Sequence, residues 1–198
     1  MQTQLLTNPA LGFAVEDDYE YLLVVRPTDE VCRQVADEMA AFYTVYRHKA
    51  ALQNPPHITV TRFFARQAME DTIIRYMHRI TSVQPGFMVM LNNYSSNPGN
   101  NIFIRVQQHE PFRQMYEALE PVNQYIQRHG YPAATRVAKP HLDVAKKLQY
   151  SVYYKAIFDY SQKTFNASFM VNDLVLLKRR SHFDAFTQVN VFKLVAND

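Results

Sequence analysis

The string Pro56-His57-Ile58-Thr59-Val60 returns later in the chain as Pro140-His141-Leu142-Asp143-Val144. Apolar residues fall at alternate positions in each copy, the pattern of a half-buried β-strand. Side chains two apart share a strand face. Ile58, Val60, Leu142 and Val144 therefore anchor in a core, while His57, Thr59, His141 and Asp143 face the other way. Two like strands that each present an imidazole constrain the fold, because their chemistry needs two halves that meet at a shared groove. Paired imidazoles suit phosphoester cleavage, with one acting as base and the other as acid.

Glycine is scarce, with Gly12, Gly86, Gly99 and Gly130 the only four. They cannot assemble a Walker-type phosphate loop or a Gly-rich dinucleotide fingerprint, and no Gly-x-Ser-x-Gly elbow occurs. Phosphate recognition then falls to side chains. A net charge of +3 accommodates an anionic ligand without implying a broad nucleic-acid footprint. Lys146-Lys147 and Lys178-Arg179-Arg180 read as solvated strand ends. Cys32 is the only cysteine, which excludes an internal disulfide or a cysteine-based metal cage. No basic-then-apolar leader opens the chain, and no run approaches the ~18 apolar residues of a spanning helix. The expectation is a cytoplasmic protein, with nothing that requires more than a monomer.

Periodicity orders the elements. Tyr21 to Val25 reads as a buried strand ended by Pro27. Thr28 then caps a helix with Asp29 and Glu30 in its first turn and an apolar stripe of Val31, Val35, Met39, Phe42 and Tyr46. The first histidine strand runs from Pro56 to about Phe64. A helix marked by Met69, Ile73, Met77 and Ile80 follows, with His78 on its exposed side. Residues 87–91 and 102–106 form a hairpin around the polar turn cluster 92–101. A third helix starts at Pro111, is kinked or divided at Pro121 and stops at Gly130. The second histidine strand begins at Pro140. A helix over 151–161 and strands near 165–171, 173–178 and 186–194 complete the chain. The fold class is α+β: a single bilobal domain over residues 1–198, built of duplicated β-α-β lobes with mainly antiparallel strands around a central cleft.

The duplicated His-apolar-Thr-apolar signature resembles the two-histidine (2H) phosphoesterases. Within them it is most similar to the bacterial RNA 2′,3′-cyclic phosphodiesterases, also called the 2′-5′ RNA ligase family. The resemblance implies a bilobal fold with both histidines in a central cleft and no required metal or organic cofactor. It also implies hydrolysis of a 2′,3′-cyclic phosphate of RNA or of a small cyclic nucleotide, with departure of the 3′-oxygen. The reverse ligation would use the same groups. The second copy departs from the family pattern, which has Thr or Ser where this chain has Asp143. A hydroxyl donates a hydrogen bond to phosphate, whereas an ionised carboxylate only accepts. Asp143 could stay protonated, hold its neighbours, bind a substrate hydroxyl, or be countered by Lys139 or Lys147.

On this reading His57 and His141 flank the phosphate as the acid–base pair, in an order the residues leave open. Thr59 donates to a non-bridging oxygen. Lys139 and Arg62 are candidate substrate-binding cations, although Arg62 has the opposite strand parity from His57 and would need a bend to reach. Two alternatives differ in class. One is a non-catalytic nucleotide- or RNA-binding module of the same fold, its chemistry lost through Asp143. The other is a non-haem iron oxygenase with His141, Asp143 and His182 as a facial triad, which would leave the His57 copy unexplained.

Overall fold

The computed structural model describes residues 18–48, 55–97 and 100–196. In chain order these form β1 (Asp18–Val25), α1 (Asp29–Tyr46), β2 (Ile58–Arg66), α2 (Glu70–Thr81), β3 (Phe87–Asn97), β4 (Asn101–Val106), α3 (Glu110–Ala118), α4 (Glu120–Arg128), β5 (Thr135–Arg136), β6 (His141–Ala145), α5 (Tyr150–Ser161), β7 (Asn166–Val171), β8 (Asp173–Arg179) and β9 (Thr187–Lys193). The strands make one sheet in the order β7-β3-β4-β6-β2-β1-β8-β9, with β5 attached to β2. All its ladders are antiparallel.

That order carries the pseudo-two-fold. The histidine strands β6 and β2 lie at its centre, flanked by β4 and β1, then β3 and β8, then β7 and β9. The expected α+β bilobal architecture is observed, with the lobes as halves of one continuous sheet. One sheet face is covered by helices: α1 lies on β6 and β7, α5 on β3 and β4, α2 against β9 and α4, and α3 on β2. The main core lies between, and Tyr21, Leu23, Ile58, Phe63, Ile104 and Leu142 belong to it. Leu22, Val24, Val175 and Leu177 form a smaller cluster with Phe186 and Val191. Alternation along β1 and β8 puts this cluster on the opposite face, the one that carries the histidines.

Several elements differ in detail from the sequence reading. Thr28 occupies the N-cap of α1, but its hydroxyl makes no capping bond. Pro121 divides the third helix outright. Leu119 separates α3 from α4, each with a proline in its first turn, where the missing N–H has no intrahelical partner to lose. Most of the polar stretch 92–101 is strand rather than turn. A register shift between Leu91 and Tyr94 marks a bulge in β3. Asn93 adopts φ 53° there, a region asparagine tolerates. Its N–H donates to the Phe165 carbonyl at 2.7 Å and its Oδ1 accepts from the Phe165 N–H at 3.1 Å, so β3 continues to Asn97. Residues 98 and 99 of that stretch lie outside the described residues. β5 has only two residues and carries no signal in the sequence pattern.

Ile58 and Leu142 are both fully buried and pair with each other directly across β2 and β6. Truncating either to alanine should cost about 2–5 kcal/mol of unfolding free energy, measurable by urea titration. A loss below about 1 kcal/mol would show that the paired strands do not rest on this core.

Candidate active site

The Ile58–Leu142 pair fixes the site. In antiparallel pairing around it, His57 stands across from Asp143 and Thr59 across from His141. All four side chains share the face opposite the helices. His57 and His141 are diagonal neighbours, a relation that spaces residues about 7–8 Å apart with their β-carbons somewhat closer. The two histidine strands, distant in sequence, thus bring their imidazoles to one place.

The rings are held alike. Nδ1 of His57 lies 2.9 Å from the Pro55 carbonyl, and Nδ1 of His141 lies 2.7 Å from the Lys139 carbonyl. A carbonyl only accepts, so each Nδ1 carries the proton and Nε2 is left as the reactive nitrogen. The prolines at 56 and 140 bias the preceding residue toward extended backbone and bring no N–H of their own to that turn.

Beyond the histidines both strands are bulged. β1 pairs with β2 as Val24–Thr59 and then Leu23–Thr61, so Val60 is an extra residue. β4 pairs with β6 as Phe103–Asp143 and then Ile102–Ala145, so Val144 is extra. Each bulge reverses the alternation, and Val60-Thr61 and Val144-Ala145 are consecutive buried residues. The residue that follows is thereby turned onto the histidine face. It is Arg62 in one copy and Lys146 in the other. The bend that Arg62 needs is present, although its guanidinium is held by Glu20 at 2.6 Å. Glu20 also binds Arg179 at 2.6 Å.

Lys146 is the cation that counters Asp143, through an Nζ–Oδ2 contact of 2.6 Å; the expected partners Lys139 and Lys147 do not fill that role. The other carboxylate oxygen, Oδ1, is buried without a hydrogen-bond partner among the described residues. It lies 3.5 Å from His141 Nε2, an electrostatic contact too long for a good hydrogen bond. Asp143 is not kept protonated: burial opposes its charge, but His141 and Lys146 outweigh burial and hold it below the usual carboxylate range. The two histidines differ in turn. Burial, helped by the Lys146 and Arg26 charges, holds the His57 ring below the ordinary imidazole value. Burial also works against charge on His141, yet Asp143 and the Lys139 carbonyl prevail and hold that ring above it.

Thr59 is half-buried beside these groups. Lys139 is exposed and lines a groove of about 800 Å³ that runs from His141 across β4 to β3. Three residues of this face escape a reading of the sequence alone. Phe103 packs its ring 4.5 Å from that of His141. Arg105 pairs with His141 across β4 and β6. Arg26 follows β1 one step beyond the Val25–Ile58 pair and donates to Gln188 at 2.7 Å. The iron triad is not assembled. His182 sits between β8 and β9, against Phe183, and the described residues contain no cluster of three metal-ligating side chains.

Residues 27–182 match the 2′-5′ RNA ligase superfamily, and the chain belongs to it. That membership supports a phosphodiesterase-type activity. No curated protein matches the sequence, but solved structures share the fold. E. coli LigT complexed with 3′-AMP superposes with a TM-score of 0.64 at 13% identity, covering 90% of this chain and 99% of that one. A structure described as a phosphoesterase gives 0.66 at 14% identity, with coverage of 90% and 99%. The protein TT0787 of Thermus thermophilus gives 0.58 at 16% identity, with coverage of 88% and 97%. No helix among the described residues is long and apolar enough to cross a membrane.

In an NMR titration His57 should gain its proton below pH 6.5 and His141 above it, on either side of the ordinary value. Asp143→Asn removes a charge that favours both imidazolium forms and should carry both midpoints downward, His141 the further. Coincident midpoints in the unmodified protein would contradict the environments described.

Proposed function

We propose that this protein is a metal-independent phosphodiesterase that opens 2′,3′-cyclic phosphates of RNA or nucleotides, with His57 as general base and His141 as general acid. The observation that carries the reading is the shared face of the two imidazoles, each with Nδ1 tied back and Nε2 available. Opposed protonation assigns the roles, since environments that push two titrating groups apart mark one as base and the other as acid. Water attacks phosphorus and gives its proton to His57 Nε2 as the new P–O bond forms. The P–O3′ bond breaks on the far side, and O3′ takes the Nε2 proton of His141. The products are a 2′-phosphate and a free 3′-hydroxyl. An RNA 5′-hydroxyl in place of water would form a 2′-5′ linkage by the same exchange.

Thr59 donates to a non-bridging oxygen as charge builds there. Lys146 supplies the cation at the other copy, where the family hydroxyl is replaced by Asp143. The carboxylate's repulsion of phosphate is offset by Lys146 and by the imidazolium of His141. Arg62, shared with Glu20, and Lys139 add positive charge at the margins. That E. coli LigT has been solved with 3′-AMP, with ATP and with NADP+ supports a nucleotide-like substrate for this fold.

His57→Ala and His141→Ala should each lower turnover of a 2′,3′-cyclic nucleotide by at least ~10²-fold, and chelators should leave wild-type turnover intact. Unimpaired turnover in either variant would overturn the assignment, and binding without turnover in the wild type would identify a binding module instead. The rate should rise with pH as His57 loses its proton and fall as His141 loses its own. The plateau should lie between the two midpoints. Asp143→Thr should move the alkaline limb to lower pH, so the ratio of activity at pH 8 to that at pH 6 drops; an unmoved limb would show that Asp143 does not sustain the acid.

A further inference from the structure

α5 is apolar on both sides. Its buried side, with Ala156 and Tyr160, packs on β3 and β4. Its outer side carries Tyr150, Tyr154 and Phe158, each four residues from the next, which aligns them in one stripe. These residues are 66%, 52% and 70% exposed, and Val45 of α1, on the same face, is 67% exposed. By contrast, α2 and α4 turn Asp71, Arg79, Glu120 and Arg128 outward. A helix that is apolar all round belongs in an interior, so the outer stripe of α5 calls for a cover.

The stripe is ordered and edged with charge. Tyr150 and Tyr154 join hydroxyl to hydroxyl at 2.6 Å, with ring centres 4.5 Å apart. A groove of about 740 Å³ runs alongside, with Val45 and Tyr46 on one wall and Ser151, Lys155 and Asp159 on the other. The Tyr46 hydroxyl donates to Asp159, and a carboxylate retains capacity for further donors. This face is complementary to itself. Reversal about the level of Ala156 sets Tyr154 against the Phe158 of a second copy, and brings Lys155 within one helical turn of that copy's Asp159. A two-fold then makes each contact twice. At ~200 Å² per aromatic side chain, the three exposed residues offer nearly 400 Å² on each copy. Val45, Lys155 and Asp159 carry the face past the ~500 Å² per partner of a specific contact.

We infer that the α1–α5 face is a two-fold interface that binds a second copy of this chain, with the two α5 helices antiparallel. Its modest area makes the pairing reversible and concentration-dependent. α1 and α5 lie on the helix-covered side of the sheet, so the pairing leaves the histidine face open. The inference is independent of the reaction proposed above.

Sedimentation equilibrium from ~5 to ~500 µM should show the wild-type mass rising from one copy toward two. The double variant Tyr154→Lys/Phe158→Lys changes two exposed positions. It should keep the fold, as read by circular dichroism, and remain monomeric. Lys155→Glu and Asp159→Lys should each weaken association ~10-fold, because like charges then face each other across the two-fold. Mixed in equal amounts, these two charge variants should regain the wild-type affinity, since each then meets opposite charges on the other. Wild-type protein that stays monomeric at the highest concentration overturns the inference. So does association that survives in the Tyr154/Phe158 double variant, or a mixture that pairs no more tightly than either charge variant alone.

Discussion

The strand contact at the centre of the sheet joins the two halves of this protein. β2 and β6 pair through Ile58 and Leu142, both fully buried, and both strands bulge immediately beyond their motif residues. A bulge ends regular pairing and increases local twist. Between β2 and β6 the pairing is confined to this one residue pair, while the core behind the strands stays continuous. The same short contact sets His57 across from Asp143 and Thr59 across from His141. A one-residue slip of either strand would turn its own pair of these side chains toward the core, so burial of the apolar pair specifies the chemistry on the opposite face.

Charge then distinguishes two copies that the backbone makes equivalent. Both rings donate from Nδ1 to a carbonyl two residues back. The first copy adds a neutral hydroxyl and an arginine paired with Glu20, a carboxylate it shares with Arg179. The second adds a carboxylate and a lysine bonded to each other. Asp143, the departure from the family pattern, is therefore no isolated negative charge. It lies between Lys146 and His141 and holds the His141 ring above the ordinary imidazole value, while burial, with the Lys146 and Arg26 charges, holds His57 below it. On this account a sequence change that first looks damaging sustains the proposed acid.

The strand pairs and helix faces were legible because period-2 and period-3.6 burial are written in residue type. Val31, Val35, Met39 and Phe42 line the buried side of α1 as spaced, and the alternation in the His57 and His141 strings predicts which side chains face together. The bulges were not legible. Val60-Thr61 and Val144-Ala145 look like ordinary strand continuation, yet they reverse the parity that sets Arg62 aside and hides Lys146. One trace was available, since a basic residue stands five positions after each histidine, a spacing wrong for a regular strand and right for a bulged one. Asn92 to Asn97 mislead for a related reason: their composition signals a turn, but reciprocal bonds between Asn93 and Phe165 keep the segment in the sheet. Arg105 and Phe103 lie on a strand whose histidine-facing side becomes apparent only from its pairing with β6.

The central claim is that two imidazoles of unlike protonation grip a single phosphorus atom. A crystal structure with a nucleoside 2′,3′-cyclic vanadate, which mimics the five-coordinate phosphorus of the reaction, tests it most directly. The account predicts vanadium between the Nε2 atoms of His57 and His141, with the ribose oxygens on the His141 side and Thr59 and Lys146 on the remaining oxygens. Vanadate bound away from the β2–β6 contact, or held by one histidine with the other ring turned aside, would contradict it.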